Sequence, residues 1–456
     1  MKNPFSLNPV ALRDLRQLVR SRIVSVGLAV FPGLLFAFTM LSVSNAMSGK
    51  PREELAFGDG LGSGPFTMVS VLTCIVAALG IPFYAAIKAI LETKRESVGL
   101  EFTTALTPAN IVGGRMAATA ILSGAAVAMA MPFFIFAYLL RGVRLQDVFL
   151  VPFEIFASGL MIFSVSLAVA CRKGSVALKV ILTVLLFFSA TALSNVPLAI
   201  TMSRHGLSEP PPALEIAAWT GAALVTALVF FRAYCASILA PPHVDGDRPF
   251  RRVVLALFLL SIPLAVIFDS KAWAIGWTWV SGALLLQYAM SPRDIPRAAK
   301  GSAPRGFVRR AVSLPFTTGA APGLLFSSAI LALAVAVFCK NADPDTSLAV
   351  CSSIAEVTFP PILAGAVLRR AKASPMAYRR ATWTMAALLI LVSLVSFMAA
   401  VDAIGSHAGE MLPCNLIGIA RNPQEHFRTY GVLLGFSLAI VAISSADAFR
   451  KYKRPQ

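Results

Sequence analysis

Apolar runs of about twenty residues recur from one end of the chain to the other, separated by short polar segments. A helix of that length crosses the hydrocarbon core of a bilayer, and a backbone in hydrocarbon must satisfy its own hydrogen bonds. No alternating strand pattern competes with this reading. The pattern therefore predicts an all-α polytopic membrane protein with about twelve transmembrane helices. They are expected at 23–42, 66–88, 116–140, 148–170, 180–200, 213–231, 253–269, 272–290, 312–338, 351–368, 381–401 and 430–447. The weakest is "CSSIAEVTFPPILAGAVL", which carries Glu356, Pro360 and Pro361; it reads either as an irregular helix or as a hinge or substrate-lining element. Without it, the basic cluster "RRAKASPMAYRR" would change sides.

Composition agrees with the pattern. Hydrophobic residues make up 57% of the 456, charged residues only 14%, and the mean hydropathy is +0.75, far from a soluble domain. The net charge of +18 raises the question of nucleic acid, but the basic residues fall in short clusters between apolar runs, without aromatic interleaving or zinc-finger spacing. No nucleic-acid partner is expected. Counted with an inner N-terminus, the alternate polar segments 1–22, 88–115, 171–179, 232–252, 291–310, 369–380 and 448–456 hold 31 of the 40 Lys and Arg residues. That bias predicts cytoplasmic termini. The opening "MKNPFSLNPVALRDLRQLVRSR" keeps its charge to Arg22 and is not expected to be a signal peptide.

Two polar segments stand out. In the first, Asn8 and Pro9 form a helix start, with asparagine as cap and proline at the first helical position. Leu12, Leu15, Leu18 and Val19 then share one face, and Arg13, Arg16, Gln17 and Arg20 another, which predicts an amphipathic helix lying in the membrane interface. The second is the mixed-charge loop 91–115, "LETKRESVGLEFTTALTPANIVGGR". Lys94 and Arg95 sit among Glu92, Glu96 and Glu101, a mixture suited to contact with a protein. Thr107 and Pro108 form another cap-and-proline start, and Gly113–Gly114 permit close packing or a sharp re-entry. The segment reads as a short surface helix, a turn, and a second short helix feeding into the membrane at Arg115.

These two segments, in this order, resemble the membrane subunits of ABC-2 type exporters. That family opens on N-P-x-x-x-R-E-L-x-x-x-x-R-S-R, which "NPVALRDLRQLVRSR" is similar to, with Asp14 for glutamate. Between spans two and three it carries E-x-E-x-G-T-x-E-x-L-L-x-T-P and then I-V-x-G-K. Glu92 and Glu96 look like the acidic lead, Gly99 like the family glycine, Thr107–Pro108 like its T-P, and Ile111, Val112, Gly114 and Arg115 like the last element. Leu100 and Phe102 depart from the pattern. The turn "LLRGVRLQD" is similar to the family's L-L-G-G-V-S, Arg141 replacing a glycine. The resemblance covers residues 1–240 as a six-helix permease unit with coupling loop 91–115, and leaves 241–456 as an additional six-helix membrane domain. It implies a bacterial inner-membrane subunit coupled to a separate ATPase through Glu92, Glu96, Gly99, Glu101, Thr107 and Pro108. It also implies a homodimer or heterodimer of membrane subunits. The loop "SPRDIPRAAKGSAPRGFVRR" holds the same ordinal place in the second half, but its six cations against one Asp read better as a membrane flank.

No nucleotide-binding loop is present in the sequence: Gly49–Lys50 is followed by Pro51, and the glycine-rich "GDGLGSGP" falls in an outer loop. No enzyme activity or cofactor is therefore expected of this chain, with ATP and magnesium held by the partner. Its four histidines are scattered, so no metal site is expected. A disulfide among Cys339, Cys351 and Cys414 stays open. Acids near the spans, Glu154 and Glu356, are candidates for the substrate path, though both read more simply as groups near the outer edge. Three functions compete: the ATP-driven exporter, an ion- or proton-coupled secondary transporter, and a non-transporting membrane scaffold.

Overall fold

The computed structural model describes residues 8–48, 61–94, 107–172, 175–184, 187, 213–240, 247–267, 313–317 and 319–341, with single positions 277, 280–281, 284–285, 287–288, 309 and 362–363. Chain contacts divide the molecule into two compact units, Met1–Leu239 and Ala240–Gln456.

In the first unit the elements run α1 (Pro9–Arg20), α2 (Arg22–Ser48), α3 (Ser63–Thr73), a π-helical segment (Cys74–Gly80), α4 (Ile81–Lys94), α5 (Pro108–Leu139), α6 (Leu145–Cys171) and α7 (Ala213–Leu239). Residues 176–184 are also helical. The second unit has α8 (Asp247–Ile267), a 3-10 turn (Leu314–Phe316) and α9 (Ala320–Asn341). Among the described residues, six helical stretches are long and apolar enough to cross a membrane: Arg22–Asn45, Ser63–Glu92, Pro108–Leu139, Leu145–Cys171, Ile216–Leu239 and Ala320–Val337. The architecture is that of an all-α, multi-pass membrane protein. The expected spans 381–401 and 430–447 lie outside the described residues, as do nearly all of 351–368 and most of 180–200 and 272–290.

α6 is the hub of the first unit. It packs against α4, α5, α7 and the π-helical segment, and Val151, Ile155, Leu160, Phe163 and Leu167 are buried along its length. Small residues permit the closest approach: a Cβ on Gly159 would stand 2.8 Å from Ala78 Cα and 2.9 Å from Ala77 O. Helices surrounded by lipid gain little from burying leucine, so backbone-to-backbone contact through Gly and Ala supplies the packing. α2 lies at the opposite extreme, with Ile23, Val26, Phe36 and Leu41 exposed, as suits a lipid-facing surface. Four hydroxyls inside the spans return to their own backbone. Thr39 donates to Leu35 O, Ser70 to Phe66 O, Thr73 to Val69 O and Ser164 to Leu160 O, so none needs water.

Two local expectations change. The second short helix expected after Pro108 is not a separate element; it is the first part of one continuous helix of 32 residues. Gly113–Gly114 do not break it, because the missing side chains make room for neighbours rather than for a bend. The second span is likewise continuous from Ser63 to Lys94, with its register widened by the π-helical segment against α6.

Candidate functional site: a charged junction at the end of the bundle

The junction is built from the first described residues upward. Asn8 caps α1 by accepting from Val10 N at 3.1 Å, Pro9 follows at the first helical position, and Asn8 Nδ2 donates to Asn110 O in α5. At the other end Ser21 is extended; its N–H and hydroxyl both donate to Leu18 O, at 3.1 and 2.7 Å, and its Oγ accepts from Val24 N in α2. One residue therefore ends α1 and starts α2.

α1 lies across the start of α5. A Cβ on Gly114 would meet Val10 Cβ at 2.7 Å and Ala11 N at 3.0 Å, so only glycine fits at the crossing. The face that α1 buries is Val10, Ala11, Asp14 and Leu18. Of the expected leucine face, Leu18 is buried, Leu12 and Leu15 are half-buried and Val19 is 48% exposed. Arg16 and Arg20 are exposed and Arg13 is intermediate.

Asp14 reaches Arg115 from this buried face. Arg115 Nε stands 3.9 Å from Asp14 Oδ2, and Arg115 Nη2 donates to Glu92 Oε2 at 3.5 Å. Arg13 completes the Asp14 side at 3.0 Å, and Lys88 Nζ lies 3.9 Å from Glu92 Oε1. Three cations and two carboxylates from α1, α4 and α5 therefore meet at one point, packed by Ala85, Ala89, Ala118 and Phe163 around a residual void of about 20 Å³. The side chain of Arg115 is only 12% exposed. A charge so enclosed is held by its partners: removing one leaves the others buried and uncompensated.

The start of α5 is braced from a further side. Thr107 caps it, its Oγ1 accepting from Asn110 N at 3.3 Å, with Pro108 at the first helical position. Arg232 of α7 donates to Ala109 O at 3.3 Å and lies against Gly113, where a Cβ would stand 3.2 Å from its Nε. At the end of α6, Arg172 donates twice to Tyr234 OH, at 3.1 and 2.7 Å, and Lys179 donates to Ala170 O at 2.8 Å.

Of the expected coupling residues, Glu92, Thr107 and Pro108 belong to this junction as its stem residues. Glu96, Gly99 and Glu101 lie outside the described residues, within 95–106. Glu154 is buried in α6, and Glu356 lies outside the described residues, as do the side chain of Cys339 and all of Cys351 and Cys414. Asp14 and Lys88 were not expected to join Arg115. The available signal was spacing: Val10, Asp14 and Leu18 recur every four residues, which puts the acid in the middle of an apolar stripe. Searches of family models, curated proteins and solved structures found no match to this chain.

Proposed function

We propose that this chain is the membrane subunit of an ATP-driven exporter of the ABC-2 type, with α1 lying in the inner interface and both termini in the cytoplasm. Segment 95–106 is the handle gripped by a separate nucleotide-binding ATPase, which holds the ATP and magnesium. The observation that carries the reading is the charged junction: Arg115 pairs with Glu92 on the stem that enters the segment and with Asp14 on α1, while belonging itself to the stem that leaves it. A push on the segment therefore moves the ends of α4 and α5 together, and α1 with them. Ser21 passes the motion to α2, since one residue separates the two helices. Interfaces that repack between two discrete arrangements are the usual means by which such displacements switch the access of a transport path. The resemblance further implies that two membrane subunits build the path.

The test replaces 95–106 by a Gly/Ser linker of equal length in the full chain. ATP hydrolysis that copurifies with the tagged wild-type protein is expected to be lost, while the variant still inserts and purifies as a folded membrane protein. Copurifying ATPase activity equal to wild type would overturn the proposal. A second reading, an ion-coupled carrier, draws on Glu154, a carboxylate buried within a span. It predicts gradient-driven transport by the chain alone in proteoliposomes without ATP, abolished by Glu154→Gln.

A further inference from the structure

We propose that the second unit carries a binding site for an anionic phospholipid, in a groove of about 570 Å³ beside the start of α8. That volume falls within the roughly 300–1,000 Å³ common for small-molecule sites. Three arginines open on it, Arg248 and Arg252 from α8 and Arg309 from the chain leading to the 3-10 turn. Below them the wall is apolar, with Leu255, Leu259 and Phe316.

The order of these residues matters more than their number. Positions 248, 252, 255 and 259 form one stripe of α8, about 16 Å long at a rise of 1.5 Å per residue. Its first turns are cationic and its later turns aliphatic, the same sequence of chemistries as a phosphate headgroup followed by an acyl chain. No acidic residue lines the groove among the described residues. The acid on the first turn, Asp247, is buried and turned to Arg251, with Oδ2 3.9 Å from Nη2. Positive charge at a bilayer surface attracts anionic lipid even when diffuse, and basic pockets between spans at the inner face are suited to acidic headgroups. Arginine adds a planar fork that matches phosphate oxygens. The orientation read from the basic segments puts residues 232–252 and 291–310 on the inner side, where the surface is richest in such lipids.

The far wall is fixed rather than adaptable. Arg251, on the flank of α8 next to the groove's stripe, donates to Pro315 O at 2.7 Å, to Thr317 O, and to Gly319 O at 3.1 Å. It thereby clamps the 3-10 turn to the helix. Phe316 is steadied edge-on against Phe326, with ring centroids 5.8 Å apart. The groove therefore exists before its occupant arrives, so less ordering opposes binding. In a chain that spans the membrane, the amphiphile present at highest concentration along this surface is the lipid itself.

The experiment uses the full chain, delipidated in detergent, with native mass spectrometry against phosphatidylglycerol and phosphatidylcholine of identical acyl chains. Retention of phosphatidylglycerol is expected to exceed that of phosphatidylcholine by about tenfold. The variant R248Q/R252Q/R309Q is expected to bring the two lipids level. Equal retention of both lipids by the wild type would overturn the proposal, as would an undiminished preference in the variant. Displacement of phosphatidylglycerol by soluble glycerol phosphate at equal concentration would identify a site for a free anion and also overturn it. Photoactivatable phosphatidylglycerol on the wild-type protein removes dependence on the variant's folding: adducts are expected on the 247–267 peptide, and labelling confined to other peptides would refute the site.

Discussion

Arg115 in the first unit and Arg251 in the second are both enclosed guanidinium groups, yet they are held by opposite means. Arg115 sits between two carboxylates on two other helices, at 3.5 and 3.9 Å, with Lys88 and Arg13 as outer partners. Arg251 is completely buried and bound mainly by neutral groups: three backbone carbonyls, the Tyr288 hydroxyl at 3.2 Å, and the face of the same ring at 4.6 Å. Carboxylates on flexible side chains can exchange partners as helix ends shift, whereas backbone carbonyls cannot follow. The first arrangement suits a joint and the second a clamp.

The clamp gives the larger expected effect. Arg251→Leu leaves the carbonyls of Pro315, Thr317 and Gly319 without their donor in a buried site, and is expected to cost the second unit about 3–5 kcal/mol. Thermal unfolding of the full chain, with limited proteolysis reporting on the 313–341 region, checks this. Arg251→Lys is expected to rescue little, because one ammonium cannot reach every acceptor of a planar fork. A variant as stable as wild type would remove the distinction.

At the joint, Arg115→Ala is expected to cost about 2 kcal/mol, less than at the clamp because Glu92 is about a quarter exposed and keeps Lys88 beside it. A double-mutant cycle with Asp14→Asn sharpens the point, with an expected coupling near 1 kcal/mol. Coupling near zero would mean that α1 is held by the Gly114 crossing alone. The smallest effect belongs to Arg141, whose φ of 63° lies in the left-handed region in the turn between α5 and α6. Arg141→Gly is expected to stabilise the first unit by up to about 1 kcal/mol in thermal unfolding, since glycine adopts this conformation without steric cost.

Local chemistry was the part most legible in the sequence. Asn8–Pro9 and Thr107–Pro108 start helices because a capping oxygen and a preset φ act over three or four residues, whatever packs around them. The site where the resemblance has glycine, Arg141, does adopt a glycine-like backbone. What failed to show was tertiary. Gly113–Gly114 read as allowing either close packing or a sharp re-entry, and only the position of Val10 decides for packing. Asp14 read only as a replacement for the glutamate of the family's opening, because its partner, Arg115, lies a hundred residues away. Arg251 read as one more basic flank, since nothing local separates it from Arg252, which points outward. The π-helical segment left no mark in the apolar run that contains it.

A separate ATPase can grip segment 95–106 only if that segment meets the cytoplasm. Val98→Cys, in a background with the six native cysteines replaced by serine or alanine, allows this to be read with a membrane-impermeant maleimide on sealed vesicles of both orientations. Labelling of inside-out vesicles, with right-side-out vesicles protected until lysed, is the predicted result. Labelling of intact right-side-out vesicles would contradict it.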